Sequence, residues 1–362
     1  MAIIWGEEYP FSEVSTIPYG AAKISSTKFV VVSSDYAYIG TVSGDEISFG
    51  SGNAIPTGLF CRSVAVLDST HIVIGGRSAF YDGRAAVGVV SGGTIAFASY
   101  YEFEGTDQVD DIRVGALDST HFVVSYYNKT DYKGYAVIGT VSNEDEIAYG
   151  TEVVCIAGGP FYLRLAVLDS THFVQCYDAD GTNAKVGTVS GGNSISFGNE
   201  YQCYADSGAY HEMTAMDATH FVIIYNACTA GQVGWCVVGV VSSGNVITFG
   251  DNTQFWPSEV HELGIDKLDS TNFALAFQDY EDANKKGFGM IGTIANGDEI
   301  SYSDEYEFNA VETENNLIVG LDDSNFAVCY RDEGGADYGI ARIGVIGAAP
   351  PVGGARSWGV VF

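Results

Sequence analysis

The chain has 362 residues, 46 of them acidic and 16 basic, for a formal net charge of -30. Such a surface repels phosphate backbones and anionic lipid head groups, which makes nucleic acid and membrane surfaces poor partners, and no run approaches the roughly 18 apolar residues of a membrane span. With 45 glycines, 7 prolines, 23 tyrosines and 20 phenylalanines, the composition suits many short strands joined by tight turns.

The N-terminus, Met1-Ala2-Ile3-Ile4-Trp5-Gly6-Glu7-Glu8, lacks the basic and apolar regions of a signal peptide. Either export uses another route, or a signal has been removed, or the protein stays inside or leaves by lysis; an extracellular or virion-associated protein is the expectation. From there a repeat dominates. A phrase of the form Leu-Asp-Ser-Thr-His-Phe begins at Ile24, Leu67, Leu117, Leu168, Met216, Leu268 and Leu321, and a second phrase, Ile-Gly-Thr-Val, carries glycines at 40, 88, 139, 187, 239, 292 and 344. The two markers run in phase, roughly 50 residues apart, a period suited to repeat architectures.

Each copy reads as four short strands. The first ends at the Leu-Asp, as in Arg164-Leu165-Ala166-Val167-Leu168. After the Asp-Ser-Thr turn the second is β-branched and apolar, as in His121-Phe122-Val123-Val124. A loop of variable length leads to the third, as in Tyr135-Ala136-Val137-Ile138-Gly139. The fourth follows a tight turn, as in Ile47-Ser48-Phe49-Gly50. Its aromatic recurs as Phe49, Phe97, Tyr149, Phe197, Phe249 and Tyr302, one short of the number of copies, and Ile3-Ile4-Trp5-Gly6 has the missing pattern. The N-terminal strand is therefore expected to pair with Ile343–Ile346 and to put Trp5 where the other copies have Phe49 and its equivalents. Pairing the two ends removes an open edge.

These copies resemble the blades of the general β-propeller superfamily, with closure like that of WD-repeat proteins, over residues 2–346. The resemblance implies an all-β, seven-bladed β-propeller with four antiparallel strands per blade, the last completed by the N-terminus. Blades are expected near 11–57, 58–105, 106–157, 158–206, 207–256, 257–309 and 310–346 plus 2–10. After them, residues 347–362 form a glycine- and proline-rich linker and an apolar tail, Ser357-Trp358-Gly359-Val360-Val361-Phe362, expected to dock on its own ring or on a second subunit. The superfamily implies a tendency to present ligands on one face but not which ligand.

Most chemically suggestive residues are explained by the repeat. His71, His121, His172 and His220 all follow the same turn, where Lys28, Asn272 and Asn325 stand in other copies, which assigns them to turn packing. Cys176 and Cys329 share one repeat position and Cys155 and Cys203 another, so they read as small buried side chains; only Cys228 and Cys236 are placed to bridge. The second-to-third loops and the connections between copies vary, and they share one face, to which any ligand is assigned. There, aromatic rings and carboxylates mix: Tyr81, Asp82 and Arg84, Tyr132, Trp235, Asp279 and Tyr280, Arg331 and Asp332. Such platforms suit sugar rings or basic protein partners. Candidate metal ligands are Asp178 and Asp180 in an Asp-Ala-Asp-Gly loop resembling part of a calcium site, and His211 and His261, each followed by Glu. Calcium is the cation such a surface would take.

The chain is thus expected to be a non-catalytic recognition or adhesion module for a glycan or protein. The alternatives are a structural subunit of a virion or surface layer, with self-association through the tail, and a carboxylate-dependent glycoside hydrolase or lyase. No nucleophile elbow, phosphate loop or dinucleotide fingerprint is present.

Overall fold

The alternating pattern and its turns are realised as strands throughout, and no α-helix occurs among the described residues. The computed structural model describes residues 1–205, 208–228, 231–335 and 337–347, and for Ala209 the backbone alone. The apolar tail over 348–362 lies outside the described residues.

Strands pair antiparallel in chain order. In repeat 3, Val109–Ala116, His121–Asn128, Lys133–Ser142 and Glu146–Tyr149 lie side by side. Repeats 1, 2 and 4 are built alike. Repeats 5 and 6 merge into a nine-stranded sheet. Their link is one long strand, Thr253–Lys267, which pairs first with Val233–Ser242 of repeat 5 and then with Asn272–Asp279 of repeat 6. First strands contact one another in chain order, and Thr313–Gly320 of repeat 7 lies against Gly20–Ser25 of repeat 1.

The N-terminal strand sits where the sequence puts it. Ala2–Trp5 pairs antiparallel with the third strand of repeat 7, Trp5 opposite Gly344, as Phe49 lies opposite Gly40 in repeat 1. The ladder continues through the Gly6 amide, which donates to the Ile343 carbonyl at 2.8 Å. Arg342 then clamps the junction: its Nε and Nη2 donate to the Gly6 carbonyl at 3.0 and 2.8 Å, and its Nη1 to the Phe308 carbonyl.

A three-residue device recurs in every repeat but the second, where Ile72 stands opposite Gly88. The phenylalanine at the second position of the second strand pairs with the marker glycine of the third, and the fourth-strand aromatic pairs with that glycine from the other side. The two rings meet edge to face, at 5.8 Å for Phe29 and Phe49 and 5.7 Å for Phe173 and Phe197. Trp5 meets Phe326 in the same way at 5.4 Å. The glycine is there because a Cβ at Gly40 would lie 2.5 Å from the Phe29 ring. Second strands are buried on both faces, which is why they read as continuous apolar runs rather than alternating ones.

The Asp-Ser-Thr turn is held by its aspartate. Asp118 Oδ1 accepts from the Thr120 and His121 amides at 2.7 and 2.8 Å, and the His121 ring lies against the carboxylate at 2.9 Å. Asn272 reproduces this set, with its amide 2.8 Å from Asp269 Oδ1 and its side-chain nitrogen 2.8 Å from Oδ2. His121→Asn is therefore expected to cost less than about 0.5 kcal/mol. A thermal melt checks this, and a drop of many degrees would remove the turn-packing assignment.

The cysteines need one correction. Cys155, Cys176, Cys203 and Cys329 are buried, as their repeat positions require. Cys228 and Cys236 do not bridge: both are free, Cys228 is exposed, and Cys236 points into the core between Val222, Ile224 and Phe255.

Candidate ligand-binding site

On the variable face, the starts of the first strands surround a cavity of about 600 Å³ that takes lining residues from all the repeats, from Tyr19 and Arg62 round to Asn315 and Asn316. A bulge shapes its wall. In repeats 3 to 7 the pairing of first and second strands slips by an extra residue at the same place. There Asp111, Tyr162, Tyr210, Glu262 and Asn315 adopt left-handed backbone, with φ of 49°, 54°, 53°, 49° and 53°. Each lies six residues before its marker leucine or methionine. A bulge re-aims side chains: these five line the cavity, and the next residue of each, Ile112, Leu163, His211, Leu263 and Asn316, is buried, all but Leu163 still contributing to the cavity lining. Left-handed backbone is tolerable for Asp and Asn but costs about 1 kcal/mol or more for Tyr and Glu, and such outliers gather at functional sites.

Four cations and four carboxylates line this wall. Arg164 Nε donates to Glu212 Oε1 at 2.6 Å, Arg113 pairs with Asp111 at 3.2 Å, and Lys129 with Asp110 at 2.6 Å. Asp111 also accepts from the Leu163 amide of the next repeat, and Glu262 from the Asn315 amide at 2.8 Å. Burial raises the Glu262 carboxyl above its usual range. Two buried side chains are left with unmet polar atoms. Asn316, 1 % exposed, has neither amide atom partnered among the described residues. His211 reaches Thr182 Oγ1 at 2.9 Å through Nε2 but leaves Nδ1 without a partner among the described residues. Burial, with Arg164 nearby, pushes the His211 pKa down to about 3, so the ring is neutral at ordinary pH.

Aromatic rings extend the wall outward. Tyr162 and Tyr210 are 5.8 Å apart, Tyr210 and His261 4.9 Å, and His261 stacks on Tyr280 at 4.0 Å and 14°. Arg62 lies over the Tyr19 ring at 4.4 Å.

Of the residues singled out in the sequence, His211 alone lines the cavity. Tyr280 and His261 reach it through the ring stack, and Tyr81 through Lys129, which lies 4.9 Å over its ring. The others lie farther out. Arg84 is tied to Asp82, Glu102 and the Gly58 carbonyl at 3.3, 2.9 and 2.6 Å. Tyr132 is 65 % exposed. Trp235 packs in the core beside Tyr225, its strand partner. Arg331 pairs with Glu314 and Asp337 at 2.7 and 2.6 Å, Asp332 accepts from Asn309 at 3.1 Å, and Asp279 accepts from the Glu281 amide at 3.3 Å. Asp178 and Asp180 flank a tight turn whose carbonyls accept from the Asn183 side chain at 2.9 and 2.7 Å. His261 bonds Glu259 at 2.8 Å, apart from His211 and Thr182. Among the described residues no three His, Cys, Asp or Glu side chains gather as a metal ion requires.

No known family model matches the chain, and no curated protein does. Solved structures do. The Cps50 (Swd1) β-propeller domain of Myceliophteria thermophila superimposes with a TM-score of 0.60 at 8 % identity, over 96 % of this chain and 100 % of that one. The chain is a β-propeller. The WD40 β-propeller domain of Doa1 matches with a TM-score of 0.55 at 12 % identity, over 93 % and 97 % of the two chains. A hypothetical selenium-binding protein from Sulfolobus tokodaii matches with a TM-score of 0.59 at 8 % identity, over 83 % and 82 %. At these identities the likeness shows the propeller fold alone.

Proposed function

We propose that this propeller is a single seven-bladed ring over residues 1–346, closed by its N-terminal strand, and that it is a non-catalytic recognition module binding a glycan at the cavity of the variable face. One observation carries the reading. Among the described residues, the exposed large aromatics are Tyr36, Phe80, Tyr132, Phe161, Tyr162 and Tyr280, and every one belongs to a second-to-third loop, the third-strand start beside one, or a first-strand start. Those segments all belong to the variable face; among the described residues the repeated-turn face presents no such ring. Sugar rings offer C–H faces to aromatics and hydroxyls to mixed acids, amides and guanidiniums, and the cavity volume lies in the range of small-ligand sites. Binding is favoured over catalysis because Asp110, Asp111, Glu212 and Glu262 are each already engaged by a cation or a backbone amide.

A glycan array tests this directly. The intact protein is expected to bind a defined set of oligosaccharides, and the double variant Phe161→Ala, Tyr162→Ala to lose at least tenfold in affinity with little change in melting temperature. Each lost stacking contact accounts for about 1 kcal/mol. Glu46→Ala, on the opposite face, is expected to leave binding unchanged. An array without hits, or hits indifferent to the double variant, would reject the reading and point to a protein partner or to none.

A further inference from the structure

The cavity is electrically polarised. Its cations, Arg62, Arg113, Lys129 and Arg164, all come from repeats 2 to 4, while repeats 5 to 7 contribute Glu212, Glu262 and the two asparagines and no cation. Four of the chain's 16 basic residues thus converge on one wall in a molecule of net charge -30. Three of the four are answered by carboxylates: Arg113 by Asp111, Lys129 by Asp110, and Arg164 by Glu212. Arg62 is not. Among the described residues it makes no ion pair, and its guanidinium has only Ser34 Oγ and the carbonyl of the preceding residue, Cys61, both at 3.4 Å, and the Tyr19 ring below it. It is half-buried, and its plane is held by that ring. A fixed guanidinium without a carboxylate, in a concave wall, is a ready receptor for a planar anion.

We infer that the cavity binds an acidic sugar, its anionic group seated on Arg62 beside Lys129 and Arg113, its ring against Tyr19 and Phe161, and its hydroxyls toward Glu212, Glu262 and the unpartnered amide of Asn316. This rests on the glycan reading above and adds the charge of the ligand. Two features make the acid specific. A neutral sugar leaves Arg62 unanswered, so the acid gains a charge-assisted bond that the neutral sugar cannot form. The chain's net charge of -30 also opposes the approach of an anion, so discrimination depends on Arg62 and falls as salt screens it.

The test uses the intact protein and calorimetry with three probes: an oligogalacturonate, its methyl ester, in which a methyl cap removes the charge from the same sugar backbone, and a sulfated galactan oligosaccharide. The inference requires at least tenfold preference for one of the two anionic probes over the ester at low salt, narrowing at about 0.5 M salt. Arg62→Ala should abolish that preference with an unchanged melting temperature, and Arg62→Lys should restore part of it. Arg62-dependent binding of the galacturonate assigns a carboxylate; Arg62-dependent binding of the sulfated probe alone assigns a sulfate. Equal affinity for ester and acid, with no gain for the sulfated probe, overturns the acidic subsite and leaves the glycan reading standing. Preference that survives in Arg62→Ala overturns the subsite too, and binding of none of the three, on a protein that also fails the array, overturns both.

Discussion

Deleting residues 1–8 is expected to destabilise the protein by on the order of 5–10 kcal/mol and to lower its melting temperature by about 10 °C or more. The loss has several sources. Ala2 and Ile3 are 1 % and 4 % exposed, and Trp5 packs against Phe308 and Phe326 at 5.6 and 5.4 Å. The third strand of repeat 7 would lose its ladder partner, and Arg342 the Gly6 carbonyl that takes two of its N–H groups. A strand edge would also be left open, so the truncated protein is expected to associate. Light scattering and calorimetry on the intact and truncated chains check both effects. A truncated protein that stays monomeric and melts at the same temperature would falsify the closure. Point variants separate packing from pairing. Trp5→Ala should cost about 3–5 kcal/mol. Trp5→Phe, the residue other repeats use, should cost under about 1.5 kcal/mol, since it keeps the ring and removes an indole N–H that has no partner among the described residues.

The second large effect is expected from a single methyl group. Gly187→Ala would place a Cβ 2.2 Å from the Phe173 ring. That ring is wholly buried and wedged edge to face against Phe197 at 5.7 Å, so it has nowhere to withdraw. Overpacking of this kind costs about 1–3 kcal/mol and more where neighbours are locked. Repeat 2 shows that isoleucine is accommodated opposite the glycine, and there a Cβ at Gly88 would lie 3.0 Å from Ile72 rather than 2.2 Å from a phenylalanine ring. Phe173→Ile in the Gly187→Ala background is therefore expected to recover part of the lost stability by easing that contact. Denaturant melts of the two variants decide it, and a fully stable Gly187→Ala protein would show that the glycines are not required by their aromatic neighbours.

The candidate site was less legible than the frame, and particular residues show why. Attention to loop variability leads to Tyr81, Tyr132, Tyr280 and Arg331, which lie on the same face as the cavity but, except through ring contacts, outside it. The wall instead comes from the first strands, six, five and four residues before each marker. A signal was present there. Across an otherwise uniform repeat, the position six before the marker reads Pro18, Cys61, Asp111, Tyr162, Tyr210, Glu262 and Asn315, and the one four before reads Gly20, Ser63, Arg113, Arg164, Glu212, Gly264 and Leu317. What hid its meaning was the bulge. Strand periodicity alone assigns alternate residues to alternate faces, and one inserted residue changes which of them turns toward the cavity.

The sequence by itself determined the repeat, the strand order within it, the turn chemistry of Asp118 and its equivalents, and the pairing of Trp5 with Gly344. All of these depend on local contacts or on a pattern repeated often enough to be read against itself. Only the tertiary structure decided that Arg62, Arg113 and Arg164, roughly 50 residues apart in the chain, share one wall, that Arg62 is the one left without a carboxylate among the described residues, and that Cys236 is buried while Cys228 is exposed. The physical reason is that a repeat encodes what each unit does alone, whereas charge balance and cavity shape arise where units meet. There a side chain's partners belong to the neighbouring unit, and the bulge sets which way it points.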